Sequence, residues 1–381
     1  METILFGGTF DPPHAGHLAL LAAALRRHPK ARAVVSPAWR SPLKGLPAAS
    51  AADRLAMTTA ALRSLPAASR LRTTLDPWES QRDTLTYSWE ALRRLKTALP
   101  GAELLFLAGA DSWETLPRWK RVPELARLCR FLVGRRPGAP APKAVAGLPP
   151  LELLPGTFPD LSSTGLRARL LCGAEPRELL PAVRRLIARR GLYGGTLRAK
   201  LARALSPERC GHTLAVAEMA RGLALRHGLD AERAALAGLL HDCGRAIPVP
   251  ALAAFAKARR LDVPARAATA ARAPLLFHAY ASEELARTEY GVSDPAVLSA
   301  VRKHTLGDVA MSPLDRLLYT ADACSADRTY PGVADIRRAA RRGLDAGFLE
   351  ALRVKHACVL REGGWLHPTA SAVWNAALED A

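Results

Sequence analysis

Residues 7–18 read Gly7-Gly8-Thr9-Phe10-Asp11-Pro12-Pro13-His14-Ala15-Gly16-His17-Leu18. The stretch follows the apolar run Ile4-Leu5-Phe6, short enough for a buried parallel strand, and leads into an Ala/Leu-rich segment that reads as a helix ending near Arg27. It is therefore a strand, a glycine turn and a helix start. The glycines let a large ligand approach the backbone, and Pro12 and Pro13 suit a first helical turn, where no amide hydrogen is needed. His14 and His17 are three apart and on a helix share one face, in a turn whose free amides and dipole favour an anion. That convergence suits stabilisation of charge on a phosphoryl group in transfer, with the protein positioning an in-line attack and supplying no covalent nucleophile. The string is neither a GxGxxG fingerprint nor a P-loop, which requires GK[ST].

Outward from this stretch, short apolar runs alternate with helical segments. Ala33-Val34-Val35, a run near Leu71 to Leu75, Glu103 to Gly109 and Arg130 to Gly134 read as strands; Ala51 to Leu65 and Ser88 to Ala98 read as helices. Such alternation predicts an α/β domain, a Rossmann-like doubly wound parallel sheet with ligands at its carboxyl edge. Three more polar strings fall beyond strands: Gly109-Ala110-Asp111-Ser112-Trp113 with Trp119 further on, Arg135-Arg136-Pro137-Gly138, and Leu161-Ser162-Ser163-Thr164-Gly165-Leu166-Arg167. The last combines hydroxyls, free amides and a guanidinium at a helix start, a second anion cradle.

With SPLK, TYSWE, LPRW and the closing ARRGLY, these strings occur in the order seen in nicotinate mononucleotide adenylyltransferases of the HxGH nucleotidyltransferase superfamily, and the resemblance spans residues 1–194. It implies that His14 and His17 stabilise the α-phosphoryl of ATP, that Ser162, Ser163, Thr164 and Arg167 hold its phosphates, and that Gly7, Gly8, Thr9 and Phe10 line the adenosine and phosphate path. Lys44, Ser88, Asp111, Trp113, Trp119 and Arg136 would hold nicotinate mononucleotide, with tryptophan stacked on the pyridine. Magnesium would arrive with ATP, since this half offers no dedicated carboxylate cage. Pantetheine-phosphate adenylyltransferases share the HxGH and serine-rich strings and are the nearest competitor. Where the family usually has isoleucine this chain has Leu161 and Leu166, an apolar exchange that leaves the polar positions intact.

Beyond Gly194-Gly195 the pattern turns helical throughout, which sets a second, all-α domain over residues 195–381. Its informative residues are His212, the pair His241-Asp242, His278, His304 and Asp322, scattered over separate helices as in metal sites built inside helical bundles. Imidazole with carboxylate favours iron or manganese over calcium. LAGLLHDCGR, with His212 upstream and LLYTADACSADR downstream, resembles the HD-domain phosphohydrolases, and LLFHAY and VRKHTLGDVAMS narrow this to the YqeK-like branch. The resemblance covers about Leu197 to Asp335. It implies a dinuclear iron or manganese centre ligated by His212, His241, Asp242, His278, His304 and Asp322, with Asp242 and Arg245 in catalysis. The reaction implied is symmetrical cleavage of diadenosine tetraphosphate into two ADP. Arg328 is a phosphate contact in this reading, and Arg245 stands where the family usually has lysine, which keeps the charge but changes its geometry. His227, His356 and His367 lack motif context. A non-hydrolytic, nucleotide-sensing HD domain is the alternative for this half.

The formal charge is +19, but only nine of the 54 basic residues are lysine and the arginines are spread through Ala- and Leu-rich helices without a basic tail. Nucleic-acid binding is therefore not inferred from charge. The six cysteines, Cys129, Cys172, Cys210, Cys243, Cys324 and Cys358, show no CxxC spacing, which argues against a disulfide framework or zinc ribbon. Met1-Glu2-Thr3 runs straight into the first strand, and no apolar run is long enough to span a bilayer. The expectation is a soluble cytoplasmic protein without a membrane partner; a homo-oligomer is left open.

Overall fold

The computed structural model describes residues 1–43, 45–138 and 140–379. They fall into two compact units, Met1–Leu166 with Pro176–Leu192, and Arg167–Glu175 with Tyr193–Ala381.

The first unit is built on a six-stranded sheet, β1 (Glu2–Gly8), β2 (Arg32–Pro37), β3 (Thr73–Leu75), β4 (Glu103–Gly109), β5 (Cys129–Arg135) and β6 (Leu151–Thr157), in the order β3-β2-β1-β4-β5-β6. Every pairing is parallel. Both faces are covered, so the strands read as unbroken apolar runs rather than alternating ones. Ile4, Phe6, Leu105 and Leu107 pack with Leu21 and Leu25 of the Ala15–Arg27 helix on one face. Leu5, Leu104, Phe106 and Phe131 pack with Leu92 and Leu95 of the Ser88–Ala98 helix on the other. This is the doubly wound sheet that the alternation of strands and helices predicts. The chain leaves β1 toward β2 on one side and returns as β4 on the other, so the strand order reverses at β1, and ligands of open α/β sheets bind at the carboxyl ends of such a reversal. Residues 7–18 begin there.

One strand escapes the sequence reading. β6 contains Pro155 and Gly156 and lies at the sheet edge beside a register irregularity at Val133/Arg135. An edge tolerates a missing amide hydrogen that a central strand does not.

The second unit is helical in all its regular structure among the described residues. Ala217, Ala220, Ala234, Ala237, Leu317 and Ala321 belong to its largest core, and a second cluster places Phe348, Ala351 and Leu352 against Tyr319 and Ile336. The helix Leu344–Arg361, about which the sequence says little, is thus part of the packed bundle. No helix among the described residues is long and apolar enough to cross a membrane.

Candidate functional site

The β1 edge differs from the sequence reading in one respect. The helix starts at Ala15, so Pro12 and Pro13 precede it, and His14 takes the extended N-cap backbone (φ −140°, ψ 173°). The two histidines meet as cap and third helical residue rather than on one helical face. The His14 backbone N–H donates to Nδ1 of His17 at 3.2 Å, and the ring centroids lie 3.7 Å apart. Phe10 closes the other side of His17, with centroids 5.1 Å apart. His14 is 5% exposed, and burial, reinforced by the Arg136 guanidinium, lowers it from 6.5 to about 4. Its Nδ1 is buried without a hydrogen-bond partner, the kind of group that a polar ligand satisfies.

Two residues outside the sequence reading hold this loop. Asp11 accepts from the Ala48 and Ala49 backbone N–H groups at 2.7 and 3.2 Å. Arg54, 1% exposed, donates to the carbonyls of Thr9 (2.8 Å), Ala38 (2.5 Å), Trp39 (2.7 Å) and Ala49 (3.3 Å). A lone arginine in an Ala-rich helix carries no sequence signal for this role, because its acceptors are main-chain atoms.

The serine string comes to the same loop. Ser162 Oγ accepts from the Gly165 N–H at 3.0 Å, and Ser163 Oγ donates to the Pro12 carbonyl at 2.9 Å. Thr164 lies exposed in the same turn. Asp111 and Arg136, beyond the neighbouring ends of β4 and β5, form an ion pair, and Arg136 also reaches Asp160 at 3.1 Å. Trp119 is half-buried with its edge toward Phe106 and Phe131. Trp113 sits in the core instead, 4% exposed, its indole N–H given to the Lys143 carbonyl at 3.1 Å. Gly7 and Gly8 end β1 beside Ser36 and Pro37, and Ser88 opens its helix. Arg167 belongs to the second unit, where Nε and Nη2 donate to the two Glu232 oxygens at 2.8 and 2.7 Å. Lys44 lies outside the described residues.

In the second unit all six expected ligands converge. His212 projects from the Pro207–Arg226 helix, His241 and Asp242 from the end of Ala231–Leu240, His278 from Phe277–Thr288, His304 from the end of Pro295–Lys303 and Asp322 from Pro313–Cys324. Two glycines permit the approach. A Cβ on Gly238 would lie 2.6 Å from Ala217 Cα, and one on Gly244 would lie 2.4 Å from the His278 carbonyl. Asp242 Oδ2 faces His241 Nε2 (3.7 Å) and His212 Nε2 (4.0 Å), while Oδ1 faces His278 Nε2 (3.2 Å) and His304 Nε2 (3.8 Å). Asp322 Oδ1 lies 3.3 Å from His212 Nε2 and 3.9 Å from His241 Nε2. His212, His241 and Asp242 form one group able to hold a metal ion, and Asp242, His278 and His304 a second, so Asp242 is common to both.

The donor set fits such a role. Nδ1 of His241, His278 and His304 is tied to the carbonyls of Gly238, Leu275 and Val301 at 2.6–2.7 Å, which turns each Nε2 inward. Nε2 of His241 is buried with no hydrogen-bond partner. Burial pushes Asp242 and Asp322 upward, but the imidazoles around Asp242, and Lys355, His212 and Arg328 around Asp322, hold both well below the usual carboxylate range. Burial lowers His241 and His304, so their lone pairs are free for a cation. The cluster is suited to a divalent metal.

Cations ring the cluster. Arg209 Nη1 meets Asp242 Oδ2 at 2.8 Å, Arg328 Nη2 meets Asp322 Oδ1 at 2.6 Å, and Lys355 Nζ meets Asp322 Oδ2 at 3.3 Å. Arg245 is half-buried beside them, within electrostatic reach of Asp242 and Asp322. The sequence reading missed Arg209 and Lys355. Arg209 could have been found as the residue one turn before His212 on the same face; Lys355 carries no such signal. His227, His356 and His367 bond elsewhere, to Ala340, to Leu352 with Ala370, and to Thr269.

Fold and sites together define a nucleotidyltransferase-type α/β unit in one chain with a helical unit of HD type. Residues 5–169 match the cytidylyltransferase-like family and residues 209–327 the HD domain. A probable nicotinate-nucleotide adenylyltransferase/Ap4A hydrolase of Mycoplasma pneumoniae is 29% identical over 329 residues, covering 86% of this chain and 89% of that protein. A probable nicotinate-nucleotide adenylyltransferase of Gemmatimonas aurantiaca is 35% identical over 201 residues, 51% of this chain and 92% of the relative. A solved structure of a predicted HD superfamily hydrolase involved in NAD metabolism, from Clostridium acetobutylicum, aligns with a TM-score of 0.46 and 28% identity over 49% of this chain and 97% of its own. The chain belongs to the nicotinate-nucleotide adenylyltransferase family, and it carries an HD domain in addition.

Proposed function

We propose that the chain is a bifunctional enzyme, with residues 1–194 transferring the adenylyl group of ATP to nicotinate mononucleotide and residues 195–381 cleaving diadenosine tetraphosphate into two ADP. The observation that carries this reading is the presence, on one chain, of the His14–His17 pair at the strand reversal and of a complete buried His/Asp cluster. The M. pneumoniae relative, named for both activities, spans most of both units.

In the first reaction the mononucleotide phosphate attacks the α-phosphorus of ATP and pyrophosphate leaves, giving deamido-NAD. His14 and His17, backed by the free amides of the helix start, stabilise the charge that develops on the α-phosphoryl oxygens. Ser162, Ser163, Thr164 and Arg167 hold the departing phosphates. Gly7, Gly8, Thr9 and Phe10 line the adenosine path, and Asp111, Arg136, Ser88 and Lys44 hold the mononucleotide. We assign the pyridine contact to Trp119, because Trp113 is already enclosed by the core. Magnesium enters with ATP.

In the second reaction, His212, His241 and Asp322 with one Asp242 oxygen, and His278 and His304 with the other, would hold iron or manganese. Bound there, divalent ions supply Lewis acidity toward phosphate oxygens and the acidification of water that hydrolysis at neutral pH requires. Arg209, Arg245, Arg328 and Lys355 neutralise the carboxylates and then face the tetraphosphate, whose charge they match. The free cysteines, three of them (Cys129, Cys243 and Cys324) buried, fit a cytoplasmic location.

The test is a substrate panel: ATP with each mononucleotide or phosphopantetheine, following pyrophosphate, and diadenosine tetraphosphate with manganese, following ADP. Pyrophosphate released with nicotinate mononucleotide, and ADP as sole product, are expected. Binding of the dinucleotide without ADP would make the helical unit a sensor.

A further inference from the structure

Three of the four clustered imidazoles orient themselves by giving Nδ1–H to a backbone carbonyl three residues back in the chain. His212 differs. Its Nδ1 lies 2.7 Å from Oδ2 of Asp327, a carboxylate 39% exposed at the surface, in the turn that follows the Asp322 helix.

That turn is fixed from both ends. Ser325 Oγ donates to Asp327 Oδ1 at 2.6 Å, which leaves Oδ2 for the imidazole. Arg337 donates to the carbonyls of Cys324 (3.0 Å), Ser325 (2.6 Å) and Arg328 (2.9 Å), so the segment bearing Asp327 is held at three main-chain points. The carboxylate is therefore presented to His212 in a set position, and no group from the motif histidines' own helices does this work.

From this geometry we infer that Asp327 is a positioning residue of the metal centre. It holds His212 in the tautomer with hydrogen on Nδ1, fixes the ring plane, and strengthens Nε2 as a donor to a metal held by His212, His241 and Asp242. Carboxylate support of a metal-ligating imidazole is worth roughly 10–100-fold in metal affinity. The inference rests on the proposal that the HD unit binds metal, and it is specific to one of the two ligand groups, because His278 and His304 have no carboxylate on Nδ1.

The experiment is calorimetric titration of the full metal-free chain with manganese, comparing wild type, Asp327→Ala and Asp327→Asn, with the melting temperature of each metal-free protein measured alongside. Wild type is expected to bind in two resolvable events. Asp327→Ala should weaken one of them about 10–100-fold and leave the other in place. Asp327→Asn, which still accepts from Nδ1–H but carries no charge, should fall between. Unchanged affinity in Asp327→Ala, or equal weakening of both events, overturns the inference; a structural defect of the fold would produce the latter together with a lowered melting temperature. Failure of wild type to bind manganese, zinc or iron at all would overturn the metal reading of the unit, and with it the role of Asp327.

Discussion

His14 and His17 are separated by two residues and meet within a single turn of chain, whereas His212, His241, Asp242, His278, His304 and Asp322 are delivered by five helices. The first arrangement is a local device: a strand end, a loop and a helix start. It needs the rest of the unit only to hold the loop, which Arg54 and Asp11 do through main-chain atoms. The second exists only when the bundle is packed, since close helix contacts at Gly238 and Gly244 set its dimensions. The electrostatics differ as well. Burial keeps His14 neutral and leaves a ring nitrogen for a ligand, while imidazoles and cations keep Asp242 and Asp322 ionised.

The largest expected effect is a double dissociation. His17→Ala should lower adenylyl transfer by about 10²–10³-fold, the loss typical of one transition-state donor, with tetraphosphate hydrolysis unchanged. Asp242→Asn should abolish hydrolysis and leave adenylyl transfer intact. Paired assays of pyrophosphate and ADP release read both, and a variant that depresses the two activities together would break the separation of sites. Removal of divalent metal by a chelator, followed by return of magnesium alone, should restore adenylyl transfer but not hydrolysis, which returns with manganese or iron.

Next comes the scaffold of the local site. Arg54→Met strips donors from four carbonyls and should destabilise the first unit by about 3–5 kcal/mol. Arg337→Met, its half-buried counterpart in the second unit, should cost nearer 1–3 kcal/mol. Denaturant titration of each variant measures both.

A smaller effect sharpens the electrostatic contrast. His14 titrates near 4 in the folded chain against 6.5 unfolded, so the unfolded chain binds the extra proton between those values. Stability of the first unit should therefore fall as pH drops from 6.5 toward 4, by up to about 3 kcal/mol, and level off below. His14→Asn should show a shallower fall over that window in thermal melts. The smallest change is expected for Arg245→Lys, a shift of a few-fold in hydrolysis rate, since charge is kept and only donor geometry changes.

Legibility followed the same division. β1, β2, β4 and β5 were readable because strands buried on both faces are apolar without interruption, and β6 was not, because Pro155 and Gly156 are admissible only at an edge that sequence does not reveal. The motif residues of both sites were readable by type and spacing. Arg54, Asp11, Asp327 and Lys355 were not, since each acts on a partner distant in the chain, while Arg209 is signalled only by its place one turn before His212. Trp113 was readable as an aromatic for either the core or a ligand; that it packs against Phe131 depends on β5.

By itself the sequence determined the layered sheet, the helical second half and the identity of the chemistry-bearing groups, because periodicity and short motifs are properties of neighbouring residues. Tertiary structure decided that His14 caps its helix rather than riding on it, that Asp242 turns one oxygen to each pair of histidines, and that four cations surround them. Those outcomes depend on distances between segments far apart in the chain, and only packing sets such distances.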